Sequence, residues 1–232
     1  MEKKTHKRKT FTFVMLILIV LAIAVGYAWF AYKHKLASLT RVNSPGEVSI
    51  AGVHGGEMNG IDLSYENENV SSDKIVTVQN VICIRSNSNK VRLEVAHTQN
   101  VEGLVLKLYP AIEKTTHPGE NTSYICKKYK DKNYYYLYNT NDGFSTDSNS
   151  GLNLFEQNKD KGKAYTYGDN EERVQSLAVP IYWESKDYVN LDSTSNTDNT
   201  NLMNYNYYKY FIVEANWKEK DKETDIVYVM AK

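Results

Sequence analysis

The stretch YKYFIVEANW, residues 208–217, decides the fold. Phe211, Val213, Ala215 and Trp217 alternate with Tyr210, Ile212, Glu214 and Asn216. That period of two belongs to an extended strand, and aromatic and β-branched side chains suit it. A charged stretch, 218–225, leads into a second apolar run at 226–230, so the C-terminus is expected to close on a hairpin.

The same period recurs upstream. Val91, Leu93, Val95 and His97 alternate with Arg92, Glu94 and Ala96. Leu104, Leu106 and Leu108 alternate with Val105, Lys107 and Tyr109, and Pro110 is expected to end the run. Residues 91–97 and 104–109 therefore read as a hairpin with one face on the core. Further strands are expected at 47–53, 60–65 and 74–85, the last as one long strand or two. Residues 123–129 and 134–138 read as a hairpin turned by Lys130-Asp131-Lys132. Residues 177–184 carry Pro180, which suits an edge strand or a bulge. Residues 139–163 are polar, with a helical turn expected at 152–158, and 192–204 form a second polar loop. Ten or so short antiparallel strands with polar turns point to an all-β domain at 47–232, an antiparallel β-sandwich of immunoglobulin-like or jelly-roll-like kind.

Ahead of that domain, FTFVMLILIVLAIAVGYAWFAY at 11–32 contains no charge, behind a basic head at 1–10 with Lys3, Lys4, Lys7, Arg8 and Lys9. As a helix it would run about 33 Å, enough to cross a hydrocarbon core. Tyr27, Trp29, Phe30 and Tyr32 gather at its far end, as interfacial aromatics do. The expected topology is a single membrane span with the N-terminus cytoplasmic, a linker at 33–46 and the domain outside the cell. Small residues around Ala22–Ala24 and Ala24–Gly26 also suit a removed signal, so a secreted form cleaved near Gly26–Ala28 stands as the alternative to an anchor.

Of the 28 basic and 28 acidic residues, eight and one lie in 1–42, which leaves 20 and 27 for 43–232. That acidic balance argues against a nucleic-acid partner, which would want a basic stripe. The two cysteines, Cys83 and Cys126, sit in strand-like runs and form a candidate disulfide outside the cytoplasm, with two buried thiols as the other reading.

A search for chemistry finds little. His54 lies in the glycine-rich VHGGEMN with Glu57 three residues on, but no HExxH follows. His97 reads as a hydrogen-bonded residue at a hairpin end, and His6, His34 and His117 as flank and loop residues. There is no GxSxG and no GxxxxGK[ST], and the Asn/Asp-rich loops lack calcium-loop spacing. No catalytic residue, cofactor or metal site is expected. Tyr134, Tyr136 and Tyr138 form a candidate binding surface for a glycan or a protein, or else a set of cross-strand packing residues.

At the end of the apolar span, Gly26-Tyr27-Ala28-Trp29-Phe30 resembles the G-T-[FYW]-A-x-F of the camelysin/TasA-like exported matrix-fibre proteins of Gram-positive bacteria. Gly60-Ile61-Asp62-Leu63, or alternatively Ser49-Ile50-Ala51-Gly52, resembles that family's glycine beside a D-L strand. The resemblance covers about 50 residues and implies an exported β-sandwich that assembles into surface or biofilm fibres, a segment of one chain completing a neighbour's sheet. The acidic residue that family carries soon after the phenylalanine is replaced by Ala31-Tyr32-Lys33. A type IV pilin-like reading starts from Lys9-Thr10-Phe11-Thr12, but Thr10 and Met15 stand where that family has Gly and Glu. The sequence thus leads to a non-enzymatic cell-surface or extracellular-matrix protein acting by assembly or adhesion. A membrane-anchored glycan- or peptide-binding ectodomain is the alternative, and a pilin-like subunit ranks below both.

Overall fold

The computed structural model describes residues 48–63, 74–99, 101, 103–120, 122–158, 180–218 and 226–232. The expected basic head, apolar span and linker lie outside them; among the described residues no helix is long and apolar enough to cross a membrane. The described strands are β1 (Val48–Ala51), β2 (Ile75–Ser86), β3 (Lys90–Val91), β4 (Leu93–His97), β5 (Val105–Lys114), β6 (Tyr124–Tyr129) and β7 (Lys132–Tyr138). They continue as β8 (Phe144–Ser145), β9 (Asn153–Gln157), β10 (Ile181–Ser185), β11 (Val189–Asn190), β12 (Asp192–Ser193), β13 (Tyr207–Lys218) and β14 (Tyr228–Ala231). Three 3₁₀ turns, Val53–Gly55, Thr194–Asn196 and Thr200–Leu202, join them. The domain is all-β, as its periodicity requires.

β13 is the centre. On one edge it pairs antiparallel with β2, from Tyr207 opposite Ser86 to Lys218 opposite Ile75. On the other it pairs with β5, from Tyr210 opposite Ala111 to Asn216 opposite Val105. β1 extends the sheet beyond β2, while β7 and then β6 extend it beyond β5. β8 and β9 lead from β5 to a second group in which β4 pairs with β10 and β14. The β8–β9 pair is parallel.

Because side chains alternate across a strand, β13 feeds two separate cores. Phe211, Val213 and Ala215 join Ile82, Ile84, Leu106 and Leu108 and meet Leu93, Val95 and Val229 of the second strand group. Tyr210 and Ile212 join Val81, Cys83, Tyr109 and Ala111 on the opposite face, where Tyr134, Tyr136 and Leu202 cover them. Each fully buried Leu, Ile or Phe contributes roughly 1.5–3 kcal/mol, so both faces drive folding.

Several expectations change. The 91–97 and 104–109 runs do not pair: β4 takes β10 and β14, and β5 takes β13, β7 and β8. Their alternation is nonetheless right, since Val91, Leu93 and Val95 meet Leu104, Leu106 and Leu108 in the same core. The C-terminal hairpin is likewise absent, because β14 joins β4 and not β13. Both edges of β13 are already occupied by longer ladders. β5 runs on through Pro110, which falls between the stretches paired to β8 and β7, where one edge needs no N–H donor. β2 is one continuous strand, residues 152–158 contain β9 in place of a helical turn, and β10 begins after Pro180 with neighbours on both edges. Ser49–Ala51 lies in β1, whereas Gly60–Leu63 makes only an isolated bridge at Asp62.

The β6–β7 hairpin forms as expected, with Tyr129 opposite Lys132 and Lys130 and Asp131 both at positive φ (43° and 63°). That is the type I′ geometry, which ordinary L-residues adopt at a cost of about 1 kcal/mol or more each. Replacing Lys130 and Asp131 together by Asn and Gly is expected to raise folding stability by about 1 kcal/mol, read as a higher urea midpoint at unchanged slope. The exposed Lys128–Asp131 ion pair lost in the exchange contributes little.

Candidate functional site

On the side of the second core, buried Arg85 and Asn199 and the partly buried Glu113 and Asn201 converge on the Val53–Gly55 turn. His54 and Gly55 both take positive φ (54° and 63°), a tight reversal that the Gly-Gly pair after His54 makes accessible. A Cβ on Gly55 would come within 2.6 Å of Leu202, and one on Gly56 within 2.4 Å of Tyr129. The turn is therefore seated against β6 and the Thr200–Leu202 turn with no room for side chains.

Polar contacts hold it from every side. His54 Nδ1 lies 2.8 Å from Glu113 Oε1, and the Tyr136 hydroxyl donates to Glu113 Oε2 at 2.6 Å. The same hydroxyl accepts from the His54 backbone N–H at 2.8 Å. Asn199 and Asn201 both donate their side-chain amides to the His54 carbonyl, at 3.0 and 2.9 Å. Arg85, buried beneath, donates to the carbonyls of Gly55 and Asn201 and to Ser49 Oγ. The imidazole stacks on Tyr134 at 4.2 Å between centroids.

The carboxylate orients the ring. An acceptor at 2.8 Å requires a proton on Nδ1 and turns Nε2 away from the carboxylate. A carboxylate–imidazole pair of this kind orients a base, but acyl transfer also needs a nucleophile within hydrogen-bond reach of Nε2. None is found among the described residues. Cys83 lies in the same core, yet its thiol is fully buried and burial pushes it well up, partly opposed by Arg85. Burial first, and Glu113 as a further cause, also push up the phenols of Tyr136 and Tyr210, keeping both as neutral donors.

Beside Glu113 opens a cleft of about 240 Å³, walled by Ile112, Asp192, Thr197, Tyr208 and Tyr210. A shallower depression of about 420 Å³ adjoins it through Thr197 and is lined by Ser193, Thr194, Ser195, Asn199 and Tyr207 among others. At the other end of the same face, buried Glu214 accepts from Gln79 (2.7 Å), Asn216 (2.9 Å) and Lys107 (3.1 Å).

The residues singled out in the sequence are redistributed. Tyr134 and Tyr136 are buried and Tyr138 is half-buried in the second core, so this stripe is packing and not an outward binding surface. Cys83 and Cys126 are free thiols: Cys83 points into the second core, while on β6 Ile125 and Tyr129 pack inward and Cys126 alternates outward into solvent. Strand alternation therefore excludes the bond between them. His97 is occupied at both nitrogens, by the Thr98 carbonyl at 2.7 Å and the Trp183 indole N–H at 3.1 Å. His117 meets the Tyr124 hydroxyl at 3.0 Å, and Glu57 makes no contact with His54. No group of three or more His, Cys, Asp or Glu side chains is placed to hold a metal among the described residues. Glu113 was not anticipated. Following the Lys107, Tyr109, Ala111 alternation past Pro110 would have reached it, on the same face.

Tyr136→Phe is expected to cost about 2 kcal/mol, because it strands Glu113 Oε2 and the His54 N–H together. Tyr134→Phe, whose ring only stacks, is expected to stay within about 0.5 kcal/mol in the same denaturant titration. A second expectation concerns pH. Burial pushes Glu214 up, but the hydrogen bonds from Asn216, Gln79 and Lys107 outweigh it, so its pKa is lowered on folding. Its contribution is thus complete above the ordinary carboxylate range and is lost as pH falls through the lowered value. Burial pushes Lys107 down, but Glu214 outweighs it, so its pKa is raised; its contribution is complete below the ordinary lysine range and is lost as pH rises through the raised value. Glu214→Gln is expected to flatten the acid limb of a stability–pH profile. An unchanged limb would contradict the assignment. No protein-family model, curated protein or solved structure matches this chain, so the chemistry of its site follows from these distances alone.

Proposed function

We propose that this chain is an exported, membrane-tethered protein that acts by assembly or adhesion at the cell surface or in the extracellular matrix, without catalysing a reaction. Its domain is taken as an antiparallel β-sandwich of immunoglobulin-like or jelly-roll-like kind, a reading supported by the two strand groups that meet across the first core. Support for export comes from the uncharged 11–32 span behind five Lys and Arg residues.

The observation that carries the assembly reading is the place of β1. It is the first described strand after the span and linker, and among the described residues it pairs along one edge only, with β2. A strand paired along one edge is where a neighbouring chain's strand would join, displacing whatever buries Ser49, Ile50 and Ala51. That fits the behaviour implied by the camelysin/TasA-like resemblance, in which one chain completes a neighbour's sheet. The edge at β6 differs, since Lys127 and Lys128 sit on it and charged edges discourage pairing. Assembly would then be polar, through β1.

The test is the mature N-terminus, read by mass spectrometry on protein from cell fractions, together with protease treatment of intact cells. The expected outcome is recovery from the envelope or medium, starting at Met1 if tethered or near Tyr27–Trp29 if released, with the domain cut from outside. Recovery of intact, protease-shielded protein from the cytosol would overturn the proposal.

A further inference from the structure

The cleft beside Glu113 is a concave site whose lining has one sign of charge. Its charged wall residues are Glu113 at the end of β5 and Asp192 on β12, and its other polar groups are the hydroxyls of Thr197, Tyr208 and Tyr210. Glu113 accepts from His54 Nδ1–H and the Tyr136 hydroxyl, and the Tyr210 hydroxyl also hydrogen-bonds to it. A carboxylate offers about four lone-pair sites, so Glu113 keeps acceptor capacity beside these donors. Among the described residues Asp192 has one cationic neighbour, Lys209, at 3.5 Å; that ammonium also donates to the Asn190 carbonyl at 3.1 Å and does not line the cleft. The Asp192 side chain is 63% exposed, so its electrostatics remain open to a ligand.

Two tyrosines supply the walls. The rings of Tyr208 and Tyr210 stand at 79° with centroids 5.7 Å apart, which makes a corner of two aromatic surfaces. A cation held against such rings gains from their quadrupole, and an alkyl chain gains from burial beside them. Ile112, 64% exposed, adds an apolar rim. At about 240 Å³ the cleft has room for roughly eight waters at about 30 Å³ each, enough for a four-carbon chain with a terminal charge.

We propose that this cleft binds an alkylammonium group, its charge between the Glu113 and Asp192 carboxylates and its methylenes against Tyr208 and Tyr210. An anion would meet two carboxylates, and a neutral alkyl chain would bring them no further cation. The phenols of Tyr208 and Tyr210 are pushed up on folding, by burial first, with Asp192 contributing at Tyr208 and Glu113 at Tyr210, which agrees with a local excess of negative charge.

The test is calorimetric titration of the full chain in detergent micelles with n-butylammonium, with n-butanol and butyrate as matched controls. Saturable binding of butylammonium alone is expected, weakened about tenfold by Asp192→Asn, a partly exposed position whose change leaves the His54 contacts in place. Glu113→Gln is expected to weaken it further, but that variant also touches the buried network, so Asp192→Asn is the deciding one. Nα-acetyl-lysine methylamide distinguishes the source: tighter binding than butylammonium marks a lysine side chain, and equal binding a free amine. Absence of saturable binding, equal binding of butanol, or an affinity unchanged by Asp192→Asn would overturn the proposal.

Discussion

β13 is paired along both edges and buried on both faces, and the rest of the domain is arranged by what that strand needs. Its Phe211 side requires a second layer, which β4, β14 and their neighbours supply. Its Tyr210 side requires a lid, which the β6–β7 hairpin and the Val53–Gly55 and Thr200–Leu202 turns supply. A strand of that length with no solvent face leaves few alternative registers, since a slip of one residue would exchange the two cores.

The two faces are built from different materials. The first is aliphatic and aromatic, and its packing is non-directional. The second mixes tyrosines with Glu113, Glu214, Arg85 and His54, and each of these must find partners because an unmet buried polar group costs more than a met one contributes. The partners come from far along the chain: Glu113 from β5, Tyr136 from β7, and Asn199 and Asn201 from the turns before β13. These contacts are directional and so discriminate between close alternatives for the lid in a way apolar burial cannot.

That arrangement also bears on function. His54, set in its glycine-rich run, is engaged through its ring, backbone N–H and carbonyl in holding a turn in place. Glu113, at the end of the network, lines a tyrosine-walled cleft next to β12. The proposed assembly through β1 and the proposed amine recognition at the cleft draw on different parts of the domain, strand pairing at one place and side chains under the lid at the other.

The strands were largely legible in the sequence, and so was the alternation of faces along β4, β5 and β13. The β6–β7 hairpin was legible too, because only two residues separate strands of matching period. The pairing of 91–97 with 104–109, and of β13 with β14, was not. Local alternation records the face a residue buries and carries no information about the neighbour on a strand's edge. The site divides the same way. His54 and its glycines stood out as an unusual run, whereas Glu113 and Asn199 look like ordinary strand-end and loop residues until the fold brings them to one turn. Sequence by itself determined the β period, the uncharged N-terminal span and the acidic balance, since each depends on residues close together in the chain. The tertiary structure alone decided that the tyrosines point inward, that Cys83 and Cys126 stay apart, and that two carboxylates share a cleft, because those depend on contacts between strands that only the competition among ladders assigns.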